Sequence, residues 1–224
     1  SKRYADQLRR QIRLDRARPS EAIKPGKPLP YESNETTHFS VMDRHGNAVS
    51  NTYTINFSYG SGIVAEGTGI LLNNEMDDFS AKPGVPNAYG LIGGEANAVA
   101  PGKRPLSSMT PTIVLKNGKA WLATGSPGGS RIITTTLQII VNVVDHGMNI
   151  AAATAAPRVH HQWLPDELRV ETGISVDTLD LLRARGHEIV EKNAMGSTQT
   201  VMRLPGGFVG ASDPRRPGAL AAGY

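Results

Sequence analysis

Apolar residues recur at two different spacings along this 224-residue chain, and the changes of spacing mark its elements. Near the start, Tyr4, Leu8 and Ile12 stand four apart among charged neighbours, which predicts a helix over residues 2–14. Pro19, Pro25, Pro28 and Pro30, with Gly26, then interrupt any regular pattern as far as Glu35. From Thr36 onward, apolar and polar positions alternate on both sides of Asp43-Arg44-His45-Gly46-Asn47, which predicts a β-hairpin over about 37–56. A second hairpin, 112–115 with 120–124, closes on Lys116-Asn117-Gly118-Lys119, and Asn-Gly is the strongest short hairpin signal.

A glycine turn, Gly125-Ser126-Pro127-Gly128-Gly129, comes next, with Ser130 placed to cap an apolar helix. That helix runs to about Asp145, where His146-Gly147 stops it. An Ala-rich helix over 150–156 is broken by Pro157. Residues 168–171 read as a strand, 176–185 as a helix closed by Gly186, and 187–191, 198–204 and 208–211 as closing strands. Residues 69–72 also look strand-like. Strands in hairpins, with helices gathered in the second half, indicate a mixed α/β protein of the α+β, largely antiparallel kind.

Composition narrows the function. With 39% apolar residues the chain supports one well-buried core and is short for two. No apolar run approaches the ~18 residues that span a bilayer. The opening Ser1-Lys2-Arg3-Tyr4 has neither an initiating Met nor a signal-peptide core, so the chain reads as cut from something longer, with any targeting sequence upstream. The absence of Cys excludes disulfides, thiolate chemistry and cysteine-ligated zinc. The net charge of +4 sits wholly in residues 1–35, which hold nine basic and five acidic side chains; residues 36–224 hold fifteen of each. A nucleic-acid binder carries its basic stripe on the folded domain among stacking aromatics, and aromatics here are only 5%.

Four segments carry candidate chemistry. The glycine turn lacks the Lys-[Ser/Thr] of a P-loop. Its paired glycines suit either an oxyanion cradle of backbone N–H groups or a tight strand-to-helix turn. Asn73-Asn74-Glu75-Met76-Asp77-Asp78 is compatible with an ammonium site, a cation site without EF-hand spacing, or a solvated loop. Ser107-Ser108 offers two adjacent hydroxyls outside any G-x-S-x-G elbow. His160-His161 does not have metalloprotease spacing and reads as ordinary loop chemistry.

Beyond these patterns, residues 36–224 resemble the small subunit of gamma-glutamyltranspeptidases. The likeness is carried by Thr36-Thr37-His38-Phe39-Ser40, by Leu71-Leu72-Asn73-Asn74-Glu75-Met76-Asp77-Asp78-Phe79 and by Arg104-Pro105-Leu106-Ser107-Ser108-Met109. Gly125-Ser126-Pro127-Gly128-Gly129-Ser130 and His160-His161-Gln162-Trp163-Leu164-Pro165 extend it in the same order. Residues 1–35 resemble the tail of the large subunit with its connector.

The resemblance implies an N-terminal-nucleophile hydrolase fold, an αββα sandwich of two mainly antiparallel sheets. It implies autocatalytic cleavage of Glu35–Thr36, so that Thr36 becomes both nucleophile and new N-terminus. Thr54 resembles the residue that hydrogen-bonds the nucleophile, and Gly128 and Gly129 match the oxyanion-hole pair. Asn56, Ser107 and Ser108 match positions that bind the donor's α-carboxylate, Glu75 and Asp78 those that bind its α-ammonium. Position 75 is Glu, where many bacterial relatives have Gln and other members Glu. Residues 82–94, with Tyr89, resemble the lid. The implied reaction is transfer of a γ-glutamyl group from glutathione and related donors to water, amino acids or peptides, with no cofactor and no metal. The implied partner is the large subunit, which supplies an Arg to the donor carboxylate, and the implied location is periplasmic or secreted. Two other readings stand beside this one: a cephalosporin or glutaryl acylase of the same fold, and an inactive fragment.

Overall fold

The structure is a computed structural model that describes residues 2–23, 36–85, 92–192 and 194–224. Helix α1 (Lys2–Arg9) precedes the hairpin β1 (Thr36–Met42) and β2 (Ala48–Thr54). After a long stretch of turns come β3 (Thr112–Lys116), β4 (Lys119–Thr124), α2 (Arg131–Val144) and α3 (Ile150–Ala155). The chain ends with β5 (Val159–His160), β6 (Leu168–Val170), α4 (Val176–Ala184), β7 (Ile189–Glu191), β8 (Gln199–Leu204) and β9 (Gly207–Ser212).

The strands form three sheets: β1-β2, β3-β4-β8-β9 and β5-β6-β7. The β3-β4 hairpin turns through Asn117 (φ 53°) and Gly118 (φ 76°), two left-handed residues in a row, which is why that pair is needed there. One pair departs from the antiparallel rule: β6 and β7 run parallel, because α4 crosses over between them.

One apolar core joins α2 and α3 to the four-stranded sheet through Leu122, Val143, Ile150, Ala153, Met202 and Ala211. The other face of that sheet meets the β1-β2 hairpin, and this contact is polar. Ser50 Oγ donates to Thr124 O (2.8 Å) and accepts from Thr112 N (3.0 Å), while Ser40 Oγ donates to Gln199 O (2.8 Å). The alternation in β1 and β2 therefore puts Thr36, His38, Ser40, Thr52 and Thr54 inward. Phe39 (49% exposed), Val41, Val49 and Tyr53 (63% exposed) face out. Among the described residues the chain builds three layers, a helix layer and two sheets, and leaves the outer face of the hairpin uncovered.

A buried charge network ties the remaining pieces together. The Arg158 guanidinium pairs with Asp213 and donates to Met195 O (2.6 Å) and Thr154 O (3.0 Å). Arg215 spans from Asp213 to Glu171, and Glu171 accepts from the Arg158 and Met195 amides. These groups are hydrogen-bonded on nearly every side, as buried charges must be.

Four sequence expectations need correction. The first helix stops at Arg9 rather than at 14. Leu8 (45%) and Ile12 (66%) stay exposed, and a helix this short without tertiary burial does not propagate. Residues 69–72 make only an isolated bridge, Val64 with Leu71, because 65–70 fold into a turn closed by Ala65 N to Ile70 O (2.8 Å). Ser130 stands before α2 with helical backbone angles (φ −52°, ψ −33°) and makes no capping bond; its hydroxyl donates to Gln162 Oε1 instead (2.9 Å). His160 is not loop chemistry but a buried strand residue, its Nδ1 2.8 Å from Thr134 Oγ1.

Candidate active site

The register of the first hairpin sets Thr36 directly across from Thr54 at its open end. Immediately beyond, the backbone turns left-handed at Asn56 (φ 72°), whose N–H donates to Thr54 Oγ1 (2.9 Å). Asn is one of the few side-chain-bearing residues that tolerates this conformation. Asn56 is fully buried and its Nδ2 donates to Asn74 O (3.2 Å), while Phe57 N donates to Asn74 Oδ1 (3.0 Å). The end of β2 is thus stitched to the start of the acidic segment. Thr36 Oγ1 is buried and has no hydrogen-bond partner among the described residues.

The acidic segment is a single 3-10 turn, Glu75–Asp78, opened by Asn73 Oδ1, which accepts from Glu75 N (2.9 Å). Asp78 is buried, and its side chain hydrogen-bonds that of Glu75. Burial raises the Glu75 carboxyl above its ordinary pKa, and the bond to Asp78 offsets part of that rise. Two carboxyl groups in contact share a proton readily and attract a cation strongly. Asn97 holds this turn from behind: its Nδ2 donates to Asp78 O (2.8 Å) and its Oδ1 accepts from Leu106 N (3.1 Å). One buried amide thereby sets the distance between the acidic turn and the Ser107-Ser108 loop.

The glycine turn is shaped by its own dihedrals and by what lies beneath it. Gly128 (φ 134°) and Gly129 (φ 62°) adopt backbone that L side chains avoid. Arg131 Nε donates to Gly128 O (3.0 Å). In a trans peptide the N–H points opposite to the C=O, so the Gly129 N–H faces away from Arg131. Ser126, fully buried, anchors the turn: its Oγ donates to Pro127 O (2.6 Å) and accepts from Ser197 N (2.8 Å).

Thr36, Thr54, Asp78, Ser107, Ser108 and Gly129, joined by Met109 and Ile132, line one pocket that opens to solvent. Gly128, Asn56 and Glu75 adjoin these lining residues in sequence or by hydrogen bond. Tyr89 and Glu35 lie outside the described residues; elsewhere in the expected lid segment, Gly84 N donates to Gly93 O (2.8 Å). Asn97, Ser126 and His38 were not singled out by residue pattern. Each takes part of its role from a partner that folding brings in, Asp78 and Leu106 for Asn97, Ser197 for Ser126 and Thr52 for His38, so no local signal marks it.

A strand-borne hydroxyl with no partner among the described residues, sharing a pocket with a carboxylate, two serines and a glycine of the turn, suits acyl transfer. Comparison with known proteins gives the family. Residues 1–223 match the family model described as Gamma-glutamyltranspeptidase. The chain is 65% identical over 225 residues to the glutathione hydrolase proenzyme of Escherichia coli (strain K12), covering all of this chain and 39% of that protein. It therefore spans about two-fifths of the length of such curated relatives. A crystal structure of a Helicobacter pylori gamma-glutamyltranspeptidase mutant superimposes with a TM-score of 0.78 at 61% identity, covering 80% of this chain and 100% of that one. A cephalosporin acylase from Bacillus halodurans gives the same TM-score at 30% identity, covering 96% of this chain and 37% of that one. The chain belongs to the gamma-glutamyltranspeptidase family.

Proposed function

We propose that this chain is the C-terminal, catalytic part of a glutathione hydrolase and γ-glutamyltransferase that cuts itself between Glu35 and Thr36. The observation that carries the reading is the Thr36 hydroxyl, buried and unpartnered among the described residues on a pocket shared with Thr54, Asp78, Ser107, Ser108 and Gly129. In this reading residues 1–35 are the tail of the large subunit and 36–224 the small subunit. The remaining length of the relatives would supply the partner chain and the arginine for the donor carboxylate.

The chemistry follows from the groups on the pocket. A threonine hydroxyl needs a base, and cleavage frees an α-amino group of pKa ~8 on the same residue. That amine takes the hydroxyl proton as Oγ1 attacks the γ-carbonyl carbon. Backbone N–H groups at Gly128 and Gly129 receive the oxyanion. Collapse breaks the γ-amide bond, the leaving amine takes the proton, and the γ-glutamyl ester of Thr36 remains. Water or an acceptor amine then attacks the ester and gives a proton to the α-amino group, which passes it to Oγ1 as the ester bond breaks and glutamate or the new γ-glutamyl amide leaves. Glu75 and Asp78 hold the donor's ammonium; Asn56, Ser107 and Ser108 hold its carboxylate. The acylase reading suits these carboxylates less well, since its preferred side chain has no ammonium.

No helix among the described residues is long and apolar enough to cross a membrane. A periplasmic or secreted location is our reading from the family alone. The deciding test is N-terminal sequencing of the small fragment of the full-length precursor, which is expected to begin Thr-Thr-His-Phe. A different start removes Thr36 as nucleophile. Thr36→Ala is expected to stay one inactive chain.

A further inference from the structure

Of the described side chains in residues 2–23, Ser20 alone is buried, at 1% exposure. What buries it is the turn after β5. Ser20 N and Ser20 Oγ donate to the two carboxylate oxygens of Asp166, at 2.8 and 2.7 Å. The Trp163 indole N–H donates to Ser20 O (2.8 Å). Every polar atom of Ser20 is therefore engaged, two of them by a charge-assisted fork. A further tie, Ala17 N to Arg185 O (2.6 Å), lies three residues upstream.

The turn is organised for this contact. Trp163 sits at φ 75°, a conformation that a bulky residue avoids and that persists only where the surroundings impose it. Trp163 N donates to His161 Nδ1 (3.1 Å), which leaves the His161 proton on Nε2 to face Asp166 Oδ1 (3.1 Å). The Ser20 amide, then its hydroxyl, hold the Asp166 carboxyl below its usual range, as expected for a carboxylate that works ionised. The turn is also fixed to the start of α2, where Ser130 Oγ donates to Gln162 Oε1 (2.9 Å).

We propose that Asp166 and Trp163 form a latch that keeps the chain upstream of the scissile bond docked on the catalytic chain after cleavage. Ser20 precedes Thr36 in sequence and its clasp follows it, so the cut turns an internal contact into an interface between two chains. This rests on the cleavage at Glu35–Thr36 proposed above. The occupant of the clasp is the segment around Ser20, recognised by its backbone N–H and C=O and one hydroxyl.

The test uses the full-length precursor, its cleavage followed by intact mass, and hydrogen exchange of the Ser20 amide. In the cleaved protein and in uncut Thr36→Ala, Ser20 is expected to exchange slowly and alike. Asp166→Ala is expected to speed that exchange roughly tenfold or more without changing the extent of cleavage. Trp163→Phe, which keeps the ring and removes the donor, is expected to give a smaller rise. Unchanged exchange in Asp166→Ala overturns the latch. So does a cleaved protein whose Ser20 exchanges at the free-peptide rate while uncut Thr36→Ala stays protected. A single mass for the unsubstituted protein overturns the cleavage itself, and the latch between two chains with it.

Discussion

His38 and Gly125 share one small volume. The imidazole lies so close to the Gly125 backbone that a methyl group there would sit 2.3 Å from Cε1 and 2.6 Å from Nδ1. The ring cannot swing aside, because Thr52 Oγ1 stands 2.8 Å from Nδ1 and Ser40 Oγ 3.0 Å from Nε2. The second residue after Thr36 on β1 is in this way packed against the first residue of the glycine turn. Gly125→Ala is expected to cost about 1–3 kcal/mol, the usual range for overpacking. It is also expected to lower kcat by displacing Gly128 and Gly129. A denaturant midpoint equal to that of the unsubstituted protein contradicts the packing argument.

The same burial makes His38 a pH probe. Desolvation lowers its pKa to about 4, below the ordinary 6.5. The unfolded chain therefore binds a proton that the folded protein resists over that window. Its contribution to stability is complete above pH 6.5 and is lost as pH falls through about 4. Urea midpoints measured from pH 7.5 to 4 are expected to fall, and to fall less steeply in His38→Asn. Parallel curves for the two proteins refute the assignment.

Asp78→Ala separates the two enzymatic readings. Losing one partner of a buried charge contact costs about 2–5 kcal/mol, since the other charge stays desolvated. For γ-glutamyl donors kcat/KM is expected to fall by roughly 30-fold or more. A glutaryl donor, which has no ammonium, is expected to lose much less, and self-cleavage to persist. Equal losses on both donors, measured on fully cleaved protein, make Asp78 structural.

Asp213→Ala leaves Arg158 buried beside Arg215 with its carboxylate gone, and also strips an acceptor from Thr198 N (2.8 Å). Breaking a buried pair on one side typically costs about 3–5 kcal/mol. The expected result is poor accumulation of folded protein, read by thermal melting. Asp213→Asn is expected to recover part of the loss by keeping an acceptor. Melting within a degree of the unsubstituted protein in both variants removes the network from the stability of the fold.

Periodicity and turn chemistry by themselves determined the two hairpins, α2, α3 and α4, because each rests on contacts between near neighbours: alternating faces, Asn117-Gly118 at a left-handed turn, a stop at Gly147. Local pattern overreached where burial arbitrates, extending α1 past Arg9 and giving Ser130 a cap it does not make. The motif segments around Thr36, Asp78, Ser107 and Gly128 were visible as residues, but nothing in their spacing states that they meet. Only tertiary structure decided that. Strand register sets Thr36 opposite Thr54, Asn97 bridges the acidic turn to the serine loop, and Ser126 anchors the glycine turn to Ser197. It also decided that the hairpin's polar face turns toward the four-stranded sheet. A strand's alternation defines two faces and not which of them is covered. The neighbours decide that, and these neighbours come from the far end of the chain.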